Sequence, residues 1–597
     1  MSFILKKKII KTVRLRHPVE CRKEYTTPSK VRAKICEIVK KTIRDSPIEL
    51  IDTTTGRVHG RDEWASMFES SPICKELISS MTTHISRSRI KRVVRQYFRY
   101  VTLSHKWEDN EPLFQDVVHI AVYDLNDSPT HDKLQIYCRF ARDAGFRWAW
   151  SDTCCINKSD NFVLQESLVA MFKWYQGSSL MIVFLRGVNS SSPASALAGS
   201  VWNTRGRTLQ EYIAAKKIRF YMEDWTLYRD LPLSNHKECP EVIAEMEQAT
   251  GVSAQQLMSL CPGLSNIREK LRLASTRSTT RVEDAAYSLL GIFEAAGISA
   301  IYGKGEVSLG RLLANILTRS GDVSILAWTG ESSRFNSCLP ARITVFNSPA
   351  TSHLPAPISD AGMQKIIAAQ SSFDLNVALR LLDRLNELPT PKFAESRMIL
   401  PCITFLLPSY FHWQSRRTRL GRIYRINTVA FGMVEIKTKQ DLPRIAPLYL
   451  IHPWLDSLLQ HEDRSSVGME DAPPLSPDMD DEDFYDEYKD DDEYSDGEFN
   501  DDEELSDGDT DDYLSAVSTP ELHDTPATTS MDREPAAQRL VARLQQPFGA
   551  LLLTETSSGG RVPDYRRVAA DSLITVRFQD GISLADILGN VRTLEVL

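Results

Sequence analysis

The chain has 597 residues, 42% hydrophobic and 9% aromatic, which excludes a mainly disordered protein and predicts two or three folded units. No run approaches the ~18 consecutive apolar residues of a membrane-spanning helix, and the opening MSFILKKKII lacks the apolar core and cleavage site of a secretory signal. The net charge of -8 is uneven: residues 478–512 hold 21 Asp or Glu against one Lys, leaving 58 acidic and 70 basic residues elsewhere.

Residues 1–25 are basic and carry no periodic core pattern. Val31, Ile35, Ile38 and Val39 recur at helical spacing and predict a helix from Lys30 to Asp45, with Ser29 as its N-cap. RSRIKRVVRQYFR, Arg87–Arg99, reads as a solvated helix leading into the first strand. A basic run with aromatics also suits RNA or a membrane surface. From Tyr100 strands and helices alternate: YVTLSHKW as strand, His131–Gly145 as helix, Phe146–Ile156 as strand, Asn161–Gly177 as helix, and the apolar Ser179–Leu185 as strand. That order predicts right-handed crossovers and a parallel sheet. Ligands of such sheets gather beyond the strand C-termini, here near His105, Asp152 and the loop after Leu185.

Residues 190–200 read as loop, Thr208–Tyr221 as helix then strand, and Arg281–Leu290 as a helix with Val282, Ala286 and Leu289 on one face. From Asp322 strand-like pieces take over: VSILAW, Met398–Leu407, Arg422–Thr438 and Leu448–His452. The acidic stretch from Glu462 to about Thr529 repels itself and cannot fold alone. The runs Ser572–Phe578 and Val591–Leu597 are too little for a domain and are expected to complete the sheet begun at Met398, with the acidic stretch looped out between.

There is no phosphate loop, no G-x-G-x-x-G and no G-x-S-x-G in the sequence. His236-x-x-Cys239 lacks a second ligand pair, and Cys154 and Cys155 on a strand would face opposite ways, so no metal site is expected. Ten cysteines are too few for a disulfide scaffold. Cys138, Cys154 and Cys402 read as buried thiols of a reducing compartment, with the cytoplasm as default and the nucleus open. Polar residues cluster at the predicted strand ends: Ser104 and His105, then Asp152, then Arg205, Gln210 and Glu211. These could form a site. Equally, Asp152 could cap a turn and Arg205 pair with Glu211.

Four pieces carry a family resemblance. YVTLSHKW, WAWSDTCCINKSD with its following helix, RGRTLQE at Arg205–Glu211, and STTRVEDAAYSLLGIF with IYGKGE resemble, in order, the fungal heterokaryon-incompatibility (HET) domain and its extension, over about residues 95–312. The family often has Tyr at the place of His105, Gly at Glu108, Asp at Asn157, Gln at Lys158 and Trp at Arg207. The resemblance implies a role in vegetative incompatibility and a likeness to Toll/interleukin-1-receptor (TIR) domains, some of which cleave NAD. Glu211 would then be the catalytic carboxylate, partly exposed, with Trp202 upstream and Ala214 and Ala215 leaving room for a ligand. Ser104, His105, Asp152, Arg205 and Arg207 would contact NAD.

The expected fold class is α/β. Its parts are a basic helical region (1–94), a parallel-sheet, TIR-like HET domain (95–230), a helical extension (231–320), and a β-rich module (321–461) interrupted by a disordered acidic insert (462–529) and completed by 530–597. Three functions stay open: a signalling module working through self-association and protein partners, an NAD hydrolase, and, on basic balance alone, a nucleic-acid-binding regulator. No cofactor is expected; NAD would be a substrate.

Overall fold

The computed structural model describes residues 26–347, 374–454 and 533–597, apart from 83, 232, 296, 395, 409–412, 420, 557–562 and 580–581. The basic start and the acidic insert lie outside the described residues. The chain forms two compact units, one from residues 1–356, 387–455 and 544–597, the other from 357–386 and 456–543. Of the second, the described residues form helix Leu375–Asn386 and most of helix Arg533–Leu544. Within it Arg533 pairs with Asp383.

The larger unit is organised around a six-stranded sheet. Its strands are β1 (Glu49–Asp52), β2 (Val58–Gly60), β3 (Tyr100–His105), β4 (Trp148–Ser151), β5 (Leu180–Phe184) and β6 (Ile218–Tyr221). They lie in the order β2-β1-β4-β3-β5-β6. β3 pairs parallel to β4 and β5, and β5 parallel to β6, whereas β1 joins β4 and β2 antiparallel. Helix Asn161–Gly177 has the predicted bounds, because the Asp160 carboxylate accepts the amides of Phe162 and Val163 at its start. The first helix runs Pro28–Arg44 with Thr27, not Ser29, as N-cap, since Pro28 suits the first helical position.

Other expectations need correction. Residues 49–60, assigned to a helical region, supply β1 and β2. Both are too short to register as a period, and Asp52 closes the turn between them by accepting the Thr54 amide at 2.8 Å. β4 stops at Ser151, where the Cys155 amide returns to the Ser151 carbonyl at 2.9 Å. Cys154 and Cys155 therefore sit in a turn and are both buried. VSILAW is a 3-10 turn over Val323–Leu326 rather than a strand, because the Asp322 carboxylate accepts the Ser324 amide at 2.9 Å. Val282 is exposed, since Arg281–Ala286 begins as single turns, while Ala286 and Leu289 are buried.

Downstream, β7 (Lys392–Ala394) and β8 (Arg397–Leu406) precede a meander of β9 (Trp413–Thr418), β10 (Gly421–Thr428) and β11 (Gly432–Thr438), then β12 (Leu448–Pro453). Beyond the acidic run come β13 (Phe548–Thr556), β14 (Asp564–Arg567), β15 (Ile574–Val576) and β16 (Val591–Val596). β16 runs antiparallel to β8 from Val591↔Ile403 to Val596↔Met398. The path β12-β13-β14-β16-β8 returns to β12, so five strands close into a ring. Closure removes the exposed edges that an open sheet would leave. One apolar core, from Val31 and Trp148 to Leu594 and Val596, runs through the larger unit. No helix of the described residues is long and apolar enough to cross a membrane.

Candidate functional site at the strand ends

Alternation along β3 sends Ser104 and His105 to opposite sides of the sheet. Ser104 faces helix Gly206–Ala214 and donates its hydroxyl to the Glu211 carboxylate. The same oxygen accepts the Trp202 indole N–H at 2.7 Å. Glu211 is 4% exposed, so the expected half-exposed surface acid is instead a core residue. The helix begins at Gly206, two residues before the expected Thr208, and Ser104 of β3 and Arg277 of the later chain stand against it. Burial, and then the Asp152 charge, push the Glu211 carboxyl well above the usual carboxylate range, against Ser104, Arg207 and Arg277. A neutral acid is therefore favoured there.

Asp152 is itself buried and accepts the Trp107 indole N–H at 3.0 and 3.1 Å. The Lys158 ammonium stands 4.0 Å above the Trp107 ring, and burial lowers its pKa. Arg207 donates to Asp284 at 3.0 Å, and Asp284 also accepts the Tyr302 hydroxyl at 2.9 Å. Arg207 is thereby held by the extension. Arg205 contributes backbone: its carbonyl accepts from Arg277 at 3.0 Å, and its side chain is half-buried. The Arg277 guanidinium also donates to Thr208 Oγ1 at 2.7 Å and Asn203 Oδ1 at 2.9 Å. The cations beside Glu211 are thus Arg207 and Arg277, rather than the expected Arg205.

His105 belongs to a second constellation. Its Nε2 lies 3.4 Å from Glu111 Oε1, and Lys133 donates to the same carboxylate. Burial raises the Glu111 pKa, but His105 and Lys133 outweigh it and hold the carboxyl at about 2. The structure therefore gathers Ser104, Asp152 and Arg207 around Glu211 and leaves His105 outside. Nor is there room over Ala214 and Ala215. Both are buried, and the Lys237 ammonium caps the helix end by donating to the carbonyls of Tyr212 at 2.9 Å and Ala215 at 3.0 Å.

An open cleft of about 600 Å³ lies on the loop that follows β5. Its lining includes Arg186, Val188, Ser195, Ser200 and Gln248 but not Glu211. Arg186 at its mouth is shared between Glu108 at 3.0 Å and Glu223 at 3.1 Å. Both ring nitrogens of His236 have backbone contacts, the Phe220 amide at 3.1 Å and the Leu231 carbonyl at 3.0 Å. No group of three metal-ligating side chains stands together among the described residues. Sequence reasoning missed Arg277, Glu111 and Lys133, which carry no local motif, and did not single out Asp284 within the STTRVEDAAYSLLGIF stretch.

Comparison with known proteins adds an independent observation. Residues 100–236 match the family model described as heterokaryon incompatibility protein (HET). The chain is 31% identical over 231 residues to vegetative incompatibility protein HET-E-1 of Podospora anserina, covering 36% of this chain and 16% of that relative. It thus spans a small part of that relative's length. No solved structure matches. The matched segment holds β3 to β6 with Ser104, Asp152, Trp202 and Glu211, whereas Arg277 and Asp284 lie beyond it.

Proposed function

We propose that this protein, whose residues 100–236 carry a HET domain, acts in vegetative incompatibility as a signalling module. In this reading the domain engages protein partners or further copies of itself and triggers death of cells formed by fusion of unlike hyphae. One observation carries the reading: the segment that matches the HET model coincides with the four parallel strands and with the buried polar residues at their C-terminal ends. The order β4-β3-β5-β6 follows the 2-1-3-4 pattern of flavodoxin-like sheets, which supports a TIR-like relationship. A packed polar core suits a domain that acts by presenting a surface. Inducing the full chain in hyphae and scoring dye uptake tests the proposal. Death of the cells that accumulate the chain is expected, and normal viability at verified expression overturns it.

Cleavage of NAD with Glu211 as the catalytic carboxylate is not the reading that the geometry supports best. Its carboxyl is buried and engaged by Ser104, and it does not line the cleft. A carboxylate that stabilises developing positive charge on a ribose must be ionised and within reach of it. Incubation of the full chain with NAD is expected to release no nicotinamide. Release that Glu211→Gln abolishes would restore the catalytic reading.

A further inference from the structure

The meander β9–β11 ends on an edge strand. β9 pairs with β10 from Trp413↔Ile426 to Thr418↔Gly421, and among the described residues no strand pairs with its other side. Gln414 to Arg419 are all exposed. An edge of this kind presents unpaired backbone N–H and C=O groups to any extended chain.

That edge is also strongly basic. Arg416, Arg417 and Arg419 are exposed, and among the described residues no acidic partner stands against them. Arg417 lies directly opposite Arg422 across the ladder, a like-charge pairing that isolated strands avoid. On the inner strands Arg422 pairs with Asp441 at 2.5 Å, while Glu435 is shared between Arg425 at 3.0 Å and Lys437 at 3.3 Å. The outer edge adds its three arginines to a sheet that already carries an excess of cations. Asp441 relieves Arg422 in this pairing, which leaves Arg417 without an anion of its own among the described residues.

We propose that β9 is a docking edge for an acidic, extended peptide segment of a partner protein, which adds as a further strand and places its carboxylates against Arg416, Arg417 and Arg419. Two observations favour a peptide over RNA. The open ladder matches a peptide backbone. Trp413, the strand's aromatic residue, is half-buried, donates to the Pro408 carbonyl at 2.8 Å and stands edge-on to Tyr424, so it is a poorer stacking platform than an exposed, unengaged ring. Arginines that serve only to keep edges from aggregating would instead bind nothing saturably.

The full chain is titrated into a labelled peptide of about 12 residues in which pairs of Glu alternate with pairs of Val, so that carboxylates reach both faces of the added strand, at about 0.15 M salt, with anisotropy as readout. Saturable binding is expected. It weakens about tenfold or more in R416A/R417A/R419A, and stays close to the parent in R416K/R417K/R419K, which keeps the charge and checks the fold. The same peptide with Pro in place of Val, which keeps the charge but has fewer backbone donors, is expected to bind about tenfold more weakly. No saturable binding, equal affinity for the proline peptide, indifference to the alanine variant, or tighter binding of an RNA of similar length would each overturn the proposal.

Discussion

Ser104 donates its hydroxyl to Glu211 while accepting the indole N–H of Trp202, joining the end of β3 to two segments more than ninety residues away in the chain. Such a relay polarises each bond in turn inside a buried, low-dielectric site. It also constrains the acid. Glu211 lies beneath its own helix with Asp152 nearby, and both burial and that charge favour its protonated form.

A pH dependence follows from the relay. The unfolded carboxyl titrates near the ordinary value of 4.5, the folded one at about 8. Between these values the unfolded chain binds fewer protons than the folded one, so this group's contribution to stability falls as pH rises. Glu211→Gln, which resembles the neutral acid, should melt within a few degrees of the parent at acid pH. Above pH 8 it should melt higher. Thermal melts of both proteins across this range provide the measurement, and parallel curves would exclude a protonated Glu211.

Glu111 titrates in the opposite sense. Its carboxyl is held down at about 2, so the stability it confers is present above the ordinary carboxylate range and lost as pH falls towards 2. Lys133 is 3% exposed and pairs with it. Lys133→Met leaves a buried charge with a weaker partner set and should cost about 3–5 kcal/mol. Adding Glu111→Gln should recover part of that loss. Denaturant unfolding near neutral pH decides, and equal stabilities for parent and Lys133→Met would refute the pairing argument.

Trp148 and Trp150 share a face of β4 and are both fully buried. Trp150 packs edge-on against Trp174 at 5.6 Å and Tyr175 at 5.3 Å, while Trp148 meets Trp64 at 5.7 Å. Trp150→Ala should cost roughly 3–5 kcal/mol through the cavity it leaves. A shift in the unfolding midpoint is the readout, and an unchanged midpoint would contradict the central position of β4.

What the sequence revealed was local. Helix Asn161–Gly177 carried its own cap in Asp160, and β5 is an apolar run whose burial on both faces is written in its composition. The ends of β4 and the 3-10 turn at Val323 depended on single side-chain-to-backbone or turn bonds that periodicity does not register. The site was legible as residue types but not as an arrangement. Ser104 and Glu211 were both identified, yet the cations that act on Glu211 include Arg277, held by Thr208, and Arg207, anchored by Asp284. Each lies about seventy or more residues from its partner. No spacing rule reports a partner at that separation.

Arg567 makes a still longer connection than these. At the end of β14 its guanidinium donates to the carbonyls of Leu326 and Trp328, both at 2.8 Å, and Cys338 at 3.3 Å, with its carbon 3.9 Å from the Trp328 ring centroid. Burial lowers its pKa to about 10, so it stays charged at neutral pH, where the three carbonyls replace its water. Arg567→Met leaves the Trp328 carbonyl without this donor, at roughly 1–3 kcal/mol for a buried group left unsatisfied, whereas the Leu326 carbonyl keeps the Trp328 backbone amide at 3.1 Å. The Cys338 carbonyl keeps the Trp328 indole N–H at 2.8 Å. Arg567→Lys retains charge but loses the planar fork that reaches carbonyls in different directions, and should fall between Met and the parent. Hydrogen exchange supplies a local readout. In Arg567→Met, amides of residues 323–341 should exchange faster than in the parent, while those of β5 keep their protection. Unchanged exchange and an unchanged melt in both variants would mean that Arg567 does not hold this segment to β14.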